Sequence, residues 1–173
     1  MNENVIKKLR DSVLELHIPR YSELPRVGLY LEQTAKYING ILSPVGCAEI
    51  TTSMISNYVK KGFIDSPQKK QYDEDKIAYL IFIAITKNVL CMDDIASLFH
   101  MQKKLYSLPR AYDYFCEELE NMLMYVYDIK SIPDDIPAEH TVEQRLLRNV
   151  IISASHSIYL TAFFSEIKKN NKK

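Results

Sequence analysis

Glycine is scarce in this chain, four in 173 residues. With long stretches of apolar residues at helical spacing, that scarcity favours a mostly helical protein. Cysteine is scarce too. Cys47, Cys91 and Cys116 are odd in number, widely spaced and without a C-x-x-C pair, which argues against a disulfide framework and leaves reduced thiols packing as small hydrophobes. There is no excess of either charge: 22 Lys and Arg balance 22 Asp and Glu, so the basic surplus usual in nucleic-acid binders is missing. The longest uninterrupted apolar run, Ile77 to Ile85, is nine residues, against the roughly 20 that cross a bilayer. No membrane partner is expected, and because Met1-Asn2-Glu3-Asn4 has no signal-peptide pattern the expected location is cytoplasmic. Phosphate-cradling glycine loops and nucleophile motifs are also missing. His17, His100, His140 and His156 are scattered, without Cys or carboxylate partners at ligand spacing, so no metal site, cofactor or catalysis is expected.

What remains is ordinary globular material, 47% hydrophobic and 25% charged. Its most informative stretch runs from Thr51 to Tyr72. Thr51, Thr52 and Ser53 offer hydroxyl N-caps, Met54, Ile55, Tyr58 and Val59 form an apolar side, and Gly62 suits the left-handed C′ position that ends a helix. Phe63-Ile64 and Lys69-Lys70-Gln71-Tyr72, on either side of Asp65-Ser66-Pro67-Gln68, then suggest a small hairpin or wing. Four lysines against Asp65 give this stretch a local net charge of +3.

The rest of the chain reads as helices. One is expected over about 4–17, stopped by Pro19, and another from near Gly28 to Leu42 with a stripe of Leu31, Ala35, Ile38 and Leu42. Asp73 caps a helix with acidic Glu74 and Asp75 in its first turn, continuing to Lys87 as the central buried element. A short helix follows from Met92 to Phe99, and Pro109 opens a longer one over about 110–127. Asp93-Asp94 and Glu117-Glu118-Glu120 read as a helix start and a solvated face. A loop holding Pro133 and Pro137 leads to a capping box, Thr141 with Gln144. The last helix, about 142–167, is apolar on two sides: Leu146, Val150, Ala154, Ile158 and Ala162 on one, Ile151, Phe163 and Phe164 elsewhere. It lies inside a bundle or meets a second subunit. Tyr106, Tyr112, Tyr114, Phe115, Tyr125, Tyr127, Tyr159, Phe163 and Phe164 read as core or dimer contacts, with a pocket for a small-molecule effector as the alternative.

The element order resembles the MerR-type winged helix-turn-helix domain. The residues that carry it are a helix ending Lys60-Lys61-Gly62-Phe63-Ile64, then Pro67, a basic wing, Tyr72, the buried Ile77 to Ile85, and Met92-Asp93-Asp94-Ile95. Pro19 to Pro25, Leu29-Tyr30-Leu31-Glu32-Gln33 and Thr51 to Tyr72 also resemble an uncharacterised bacterial domain-of-unknown-function family of that fold. The likeness covers about residues 19–100. The wing is shorter than the MerR one, with Lys69-Lys70-Gln71-Tyr72 in place of Gly-Tyr-Arg, and Ser56-Asn57 stand where an arginine is usual.

The fold class expected is all-α with a small β-wing: an N-terminal helix (1–18), a MerR-like domain (19–104) and a C-terminal helical dimerisation or effector region (105–173). The function expected is a DNA-binding transcriptional regulator, homodimeric through its C-terminal helices and bound to double-stranded DNA. Thr52, Ser53, Ser56, Asn57 and Lys60 would face the major groove, Asn57 as a bidentate reader of adenine. Lys61, Lys69, Lys70 and Gln71 would meet phosphates, with Tyr58 packing inward and reaching a phosphate through its hydroxyl. The alternative is a protein-interaction adaptor on the same scaffold.

Overall fold

The computed structural model describes residues 3–47, 49–136 and 141–170. Pro137, His140 and the end of the basic tail (171–173) lie outside the described residues. The elements are α1 (Glu3–Leu14), β1 (Leu29–Tyr30), α2 (Leu31–Leu42), α3 (Thr52–Lys60), β2 (Gln71–Tyr72), α4 (Glu74–Thr86), α5 (Met92–Leu105), α6 (Leu108–Val126) and α7 (Val142–Asn170). Single 3-10 turns stand at Tyr21–Glu23 and Ser43–Val45. The protein is mostly helical with one two-stranded sheet.

The centre is α4, as its composition demands. Every residue from 77 to 86 except Tyr79 is buried, because a helix apolar all round has no face to give to water. Asp73 caps it, accepting the Lys76 backbone N–H at 3.1 Å and pairing with Lys76 Nζ at 2.6 Å. Burial pushes the Asp73 carboxyl up, yet the Lys76 hydrogen bonds hold it below the usual carboxylate range. α6 packs chiefly along α7, and α1 lies against both. A single core runs from Val5 in α1 to Ala162 in α7, crossing the divisions expected after residues 18 and 104.

Several boundaries differ from the expected ones. α1 stops at Leu14 because the chain must turn to bury Ile18 and meet Pro19, which disfavours helix in the residue before it. There the Glu120 carboxylate accepts the Ile18 backbone N–H at 2.8 Å and both Arg20 guanidinium nitrogens at 3.1 and 2.6 Å. α2 starts at Leu31, not near Gly28, since Leu29 and Tyr30 are extended in β1. α5 continues past Phe99 to Leu105, with no breaker before Ser107 and with Lys103 and Lys104 at the negative end of its dipole. The solvated face expected at Glu117-Glu118-Glu120 is also corrected: Glu118 is 1% exposed and paired with Arg148 Nε at 2.7 Å. The capping box at Thr141 forms by half. Gln144 N–H donates to Thr141 Oγ1 at 3.2 Å, while Gln144 Oε1 is buried without a partner.

Among the described residues α7, 29 residues long, is the one helix long and apolar enough to cross a membrane by length and composition. The run-length criterion missed it because Ser153, Ser155, His156, Ser157 and Thr161 break the apolar run. Here Ile151, Ala154, Ile158 and Ala162 are buried in the core, and 28% of its apolar window is buried.

Candidate nucleic-acid interface

α3 is held at both ends by local chemistry. At its start Thr51 Oγ1 accepts the Met54 N–H at 3.2 Å. Just before it, the Asn39 amide of α2 accepts the Ile50 N–H at 2.9 Å and donates to the Ile50 carbonyl at 3.0 Å, locking the connection as a backbone pair would. At its end Gly62 takes φ +76°, and the Gly62 and Phe63 N–H groups return to the Val59 and Tyr58 carbonyls at 3.0 and 2.9 Å, the Schellman pattern. A Gly62→Ala variant is expected to lose about 1–2 kcal/mol, the cost of a Cβ in the left-handed region, measured by urea unfolding.

The packing of α3 sorts its residues. Ile55 and Tyr58 are buried, whereas Ser53, Ser56, Asn57 and Lys60 are exposed and Thr52 is half-buried. Among the described residues the Ser53 and Ser56 hydroxyls and the Asn57 amide make no side-chain hydrogen bond, so their donors and acceptors stand free. Tyr58 packs inward as expected: at 7% exposure its ring is buried, and burial raises its hydroxyl pKa. Met54 departs from the expected apolar side, at 39% exposed, with Lys87 Nζ lying 4.0 Å from its sulfur and donating to the Glu49 carbonyl at 3.0 Å.

The expected hairpin between Phe63-Ile64 and Lys69–Tyr72 does not form. Ile64 is buried in the core and the Phe63 N–H closes α3, so neither is free to pair. β2 pairs antiparallel with β1 instead, Leu29 opposite Tyr72 and Tyr30 opposite Gln71. A Cβ on Gly28 would lie 2.7 Å from Gln71 Cβ, so only glycine permits this approach. The ribbon's tip is the turn Gln68-Lys69-Lys70-Gln71, closed by Gln71 N–H to the Gln68 carbonyl at 2.8 Å. Lys69 and Lys70 have φ of +50° and +63°, as at the centre of a type I′ turn, where Asn-Gly is the low-cost choice. Two lysines hold a conformation that strains them.

Lys60, Lys61, Lys69 and Lys70 are all exposed, and none has a carboxylate partner among the described residues. Gln71 is half-buried in the ribbon. The β1–β2 pairing also sets the exposed Tyr30, 54% accessible, beside Gln71, and Arg26 two residues before Gly28. Lys87 adds a cation at the start of α3. No linear signal marks these residues, because each reaches the site only through a long-range contact. Among the described residues no group of three or more His, Cys, Asp or Glu side chains is arranged to hold a metal.

The sequence model of a family described as a domain of unknown function, DUF1836, matches residues 19–115, more than half of the chain. The match opens at the Glu120-clamped segment, includes α3 and the lysine turn, and ends inside α6. No curated protein and no solved structure matches.

Proposed function

The chain belongs to the DUF1836 family, and on that premise we propose that it is a cytoplasmic, DNA-binding transcriptional regulator of the MerR-like winged-helix type. α3 enters the major groove and the lysine-tipped ribbon, as the wing, lies on phosphates. The reading rests on one observation: an exposed polar helix face with unengaged hydrogen-bonding groups, bordered by four exposed lysines that have no ion-pair partner among the described residues. Asn57 is the bidentate reader of adenine, and Ser53 and Ser56 contact base edges beside it. Lys60, Lys61, Lys69 and Lys70 neutralise phosphates, setting register without reading sequence.

Two copies act together, and α7 supplies the contact. Val142, Leu146, Leu160 and Phe164 are 66%, 40%, 51% and 55% exposed. With Asn149, Ser153 and Ser157 they fall on one narrow helical stripe opposite the buried face. The stripe is symmetric about Ser153. Val142 and Phe164 lie eleven positions either side of it, Leu146 and Leu160 seven, Asn149 and Ser157 four. An antiparallel second copy therefore sets Leu146 on Leu160 twice, with small residues at the crossing where backbones come closest, over about 33 Å of helix. Burial pushes the Cys47 and Cys116 thiols up to about 12, leaving the exposed Cys91 as the reactive one. In a Cys91→Ser background, Ser153→Cys is expected to form a disulfide-linked dimer on mild oxidation, read on a non-reducing gel. Failure to cross-link there, with efficient cross-linking of a cysteine placed elsewhere, rejects the dyad.

Fluorescence anisotropy with random-sequence duplex DNA across a salt series tests DNA binding. Four phosphate contacts per subunit predict a log–log slope of roughly −7 for the dimer. The balanced charge of the chain, 22 against 22, favours the second reading, a protein-interaction adaptor on the same scaffold, and absence of binding at low salt would select it.

A further inference from the structure

Met54 is the one large apolar side chain among the exposed residues of α3. A single exposed methionine is ordinary on a protein surface, so its exposure alone carries nothing. Its position does. Met54, Asn57 and Lys61 stand at i, i+3 and i+7, all three exposed, and residues at that spacing share one strip of a helix. From the start of α3 onward, the strip presents a thioether, an amide and an ammonium. The amide is the group assigned above to adenine, and the ammonium to a phosphate.

Met54 is also held in place. It is the third residue of α3, and its backbone N–H donates to Thr51 Oγ1 at 3.2 Å, which fixes the first turn. Its sulfur lies 4.0 Å from Lys87 Nζ. That ammonium is itself anchored, donating to the Glu49 carbonyl at 3.0 Å. Lys87 ends the buried α4, with its backbone N–H on the Ile83 carbonyl at 2.9 Å. A flexible side chain fixed before binding loses less rotamer entropy when a partner covers it.

The N-terminal residues of a recognition helix are those that reach base edges. In the major groove the group that welcomes an apolar side chain is the C5-methyl of thymine. The hydrogen-bonding edges beside it would lose water to a thioether and gain nothing. Three residues of helix rise about 4.5 Å, against about 3.4 Å per base step, so Met54 falls on the step next to the adenine held by Asn57. We propose that Met54 is a specificity residue that packs on the C5-methyl of a thymine one base step from that adenine. The DNA target then contains adjacent A·T pairs. This role rests on the DNA-binding reading, yet the two fail in different ways.

Duplexes enriched by the full chain from a random-sequence library supply the probe. Each thymidine is replaced in turn by deoxyuridine, which removes the methyl and leaves the base pairing, and affinity is read by fluorescence anisotropy. At one thymine per half-site the wild type is expected to lose about fourfold in affinity, the worth of one buried methyl group. Met54→Ala should bind the thymidine and deoxyuridine duplexes equally, and Met54→Leu, which keeps an apolar side chain, should retain the difference. Both variants leave the backbone bond to Thr51 intact, and circular dichroism checks their fold. If duplexes are bound but no thymine methyl matters, or if the methyl effect survives in Met54→Ala, the role of Met54 is overturned and the DNA-binding reading stands. Failure to enrich or bind any duplex overturns both.

Discussion

Lys69→Glu/Lys70→Glu is expected to lower DNA affinity about a thousandfold at 0.15 M salt, and to flatten the salt slope from roughly −7 to about −4. The reasoning is counterion release. Each neutralised phosphate contributes about 0.9 to the log–log slope, and the double change removes two contacts per subunit, four per dimer. The fold should be unaffected, because Glu is no worse than Lys in the left-handed region these positions occupy, φ +50° and +63°, and both side chains are exposed. A companion separates charge from backbone. Lys69→Asn/Lys70→Gly installs the residues a type I′ turn prefers, so it should raise the melting temperature while still losing the phosphate contacts. A turn kept at the less stable sequence is the pattern of a position held for function. Equal affinity of wild type and Lys69→Glu/Lys70→Glu across the salt series would remove the lysine turn from any DNA interface and favour the adaptor.

What could be read in advance was whatever depends on neighbours in sequence. The Thr51 and Asp73 caps, the Gly62 stop, the acidic first turn of α4 and its near-complete burial follow from residues a few positions apart, and the structure has each. The exposed face of α3 follows from the same local spacing, so Ser53, Ser56, Asn57 and Lys60 were nameable. Tyr58 belonged to the opposite side by that spacing, and its burial agrees. The ribbon was different. Residues 69–72 read as an extended arm after a turn at 65–68, but the turn lies at 68–71 and the strand 71–72 pairs with Leu29–Tyr30, about forty residues earlier. No periodicity in a two-residue strand announces that pairing. Asn39 likewise acts by meeting Ile50 across a turn, a contact no periodicity in its own helix announces. Glu118 and Glu120 looked like a solvated pair for the same reason: their partners Arg148 and Arg20 are 30 and 100 positions away.

The Glu118–Arg148 pair gives the largest stability effect expected from one substitution. Glu118 points from α6 into the core at 1% exposure, and Arg148 on α7 is 44% exposed, with Nε 2.7 Å from Oε1. Arg148→Ala strands a carboxylate where water scarcely reaches, a change that costs about 3–5 kcal/mol when both partners are buried. The half-exposed arginine puts this pair near the lower figure, about 3 kcal/mol, because solvent can relax toward the gap. For a chain of this length that corresponds to a fall in Tm of about 6–12 °C. The cost belongs to the stranded charge, not to the pair, so removing both charges should recover most of it. Glu118→Leu/Arg148→Met is expected to melt near wild type, and Glu118→Gln alone to lose much less than Arg148→Ala. Should Arg148→Ala melt within a degree of wild type, the Glu118 carboxylate must find water or another donor, and the seam between α6 and α7 rests on apolar packing alone. In that case the orientation of α7, and with it the exposed stripe centred on Ser153, is set by Leu119, Leu123, Ile151 and Ile158, and Ile151→Ala becomes the substitution that loosens the dimer surface.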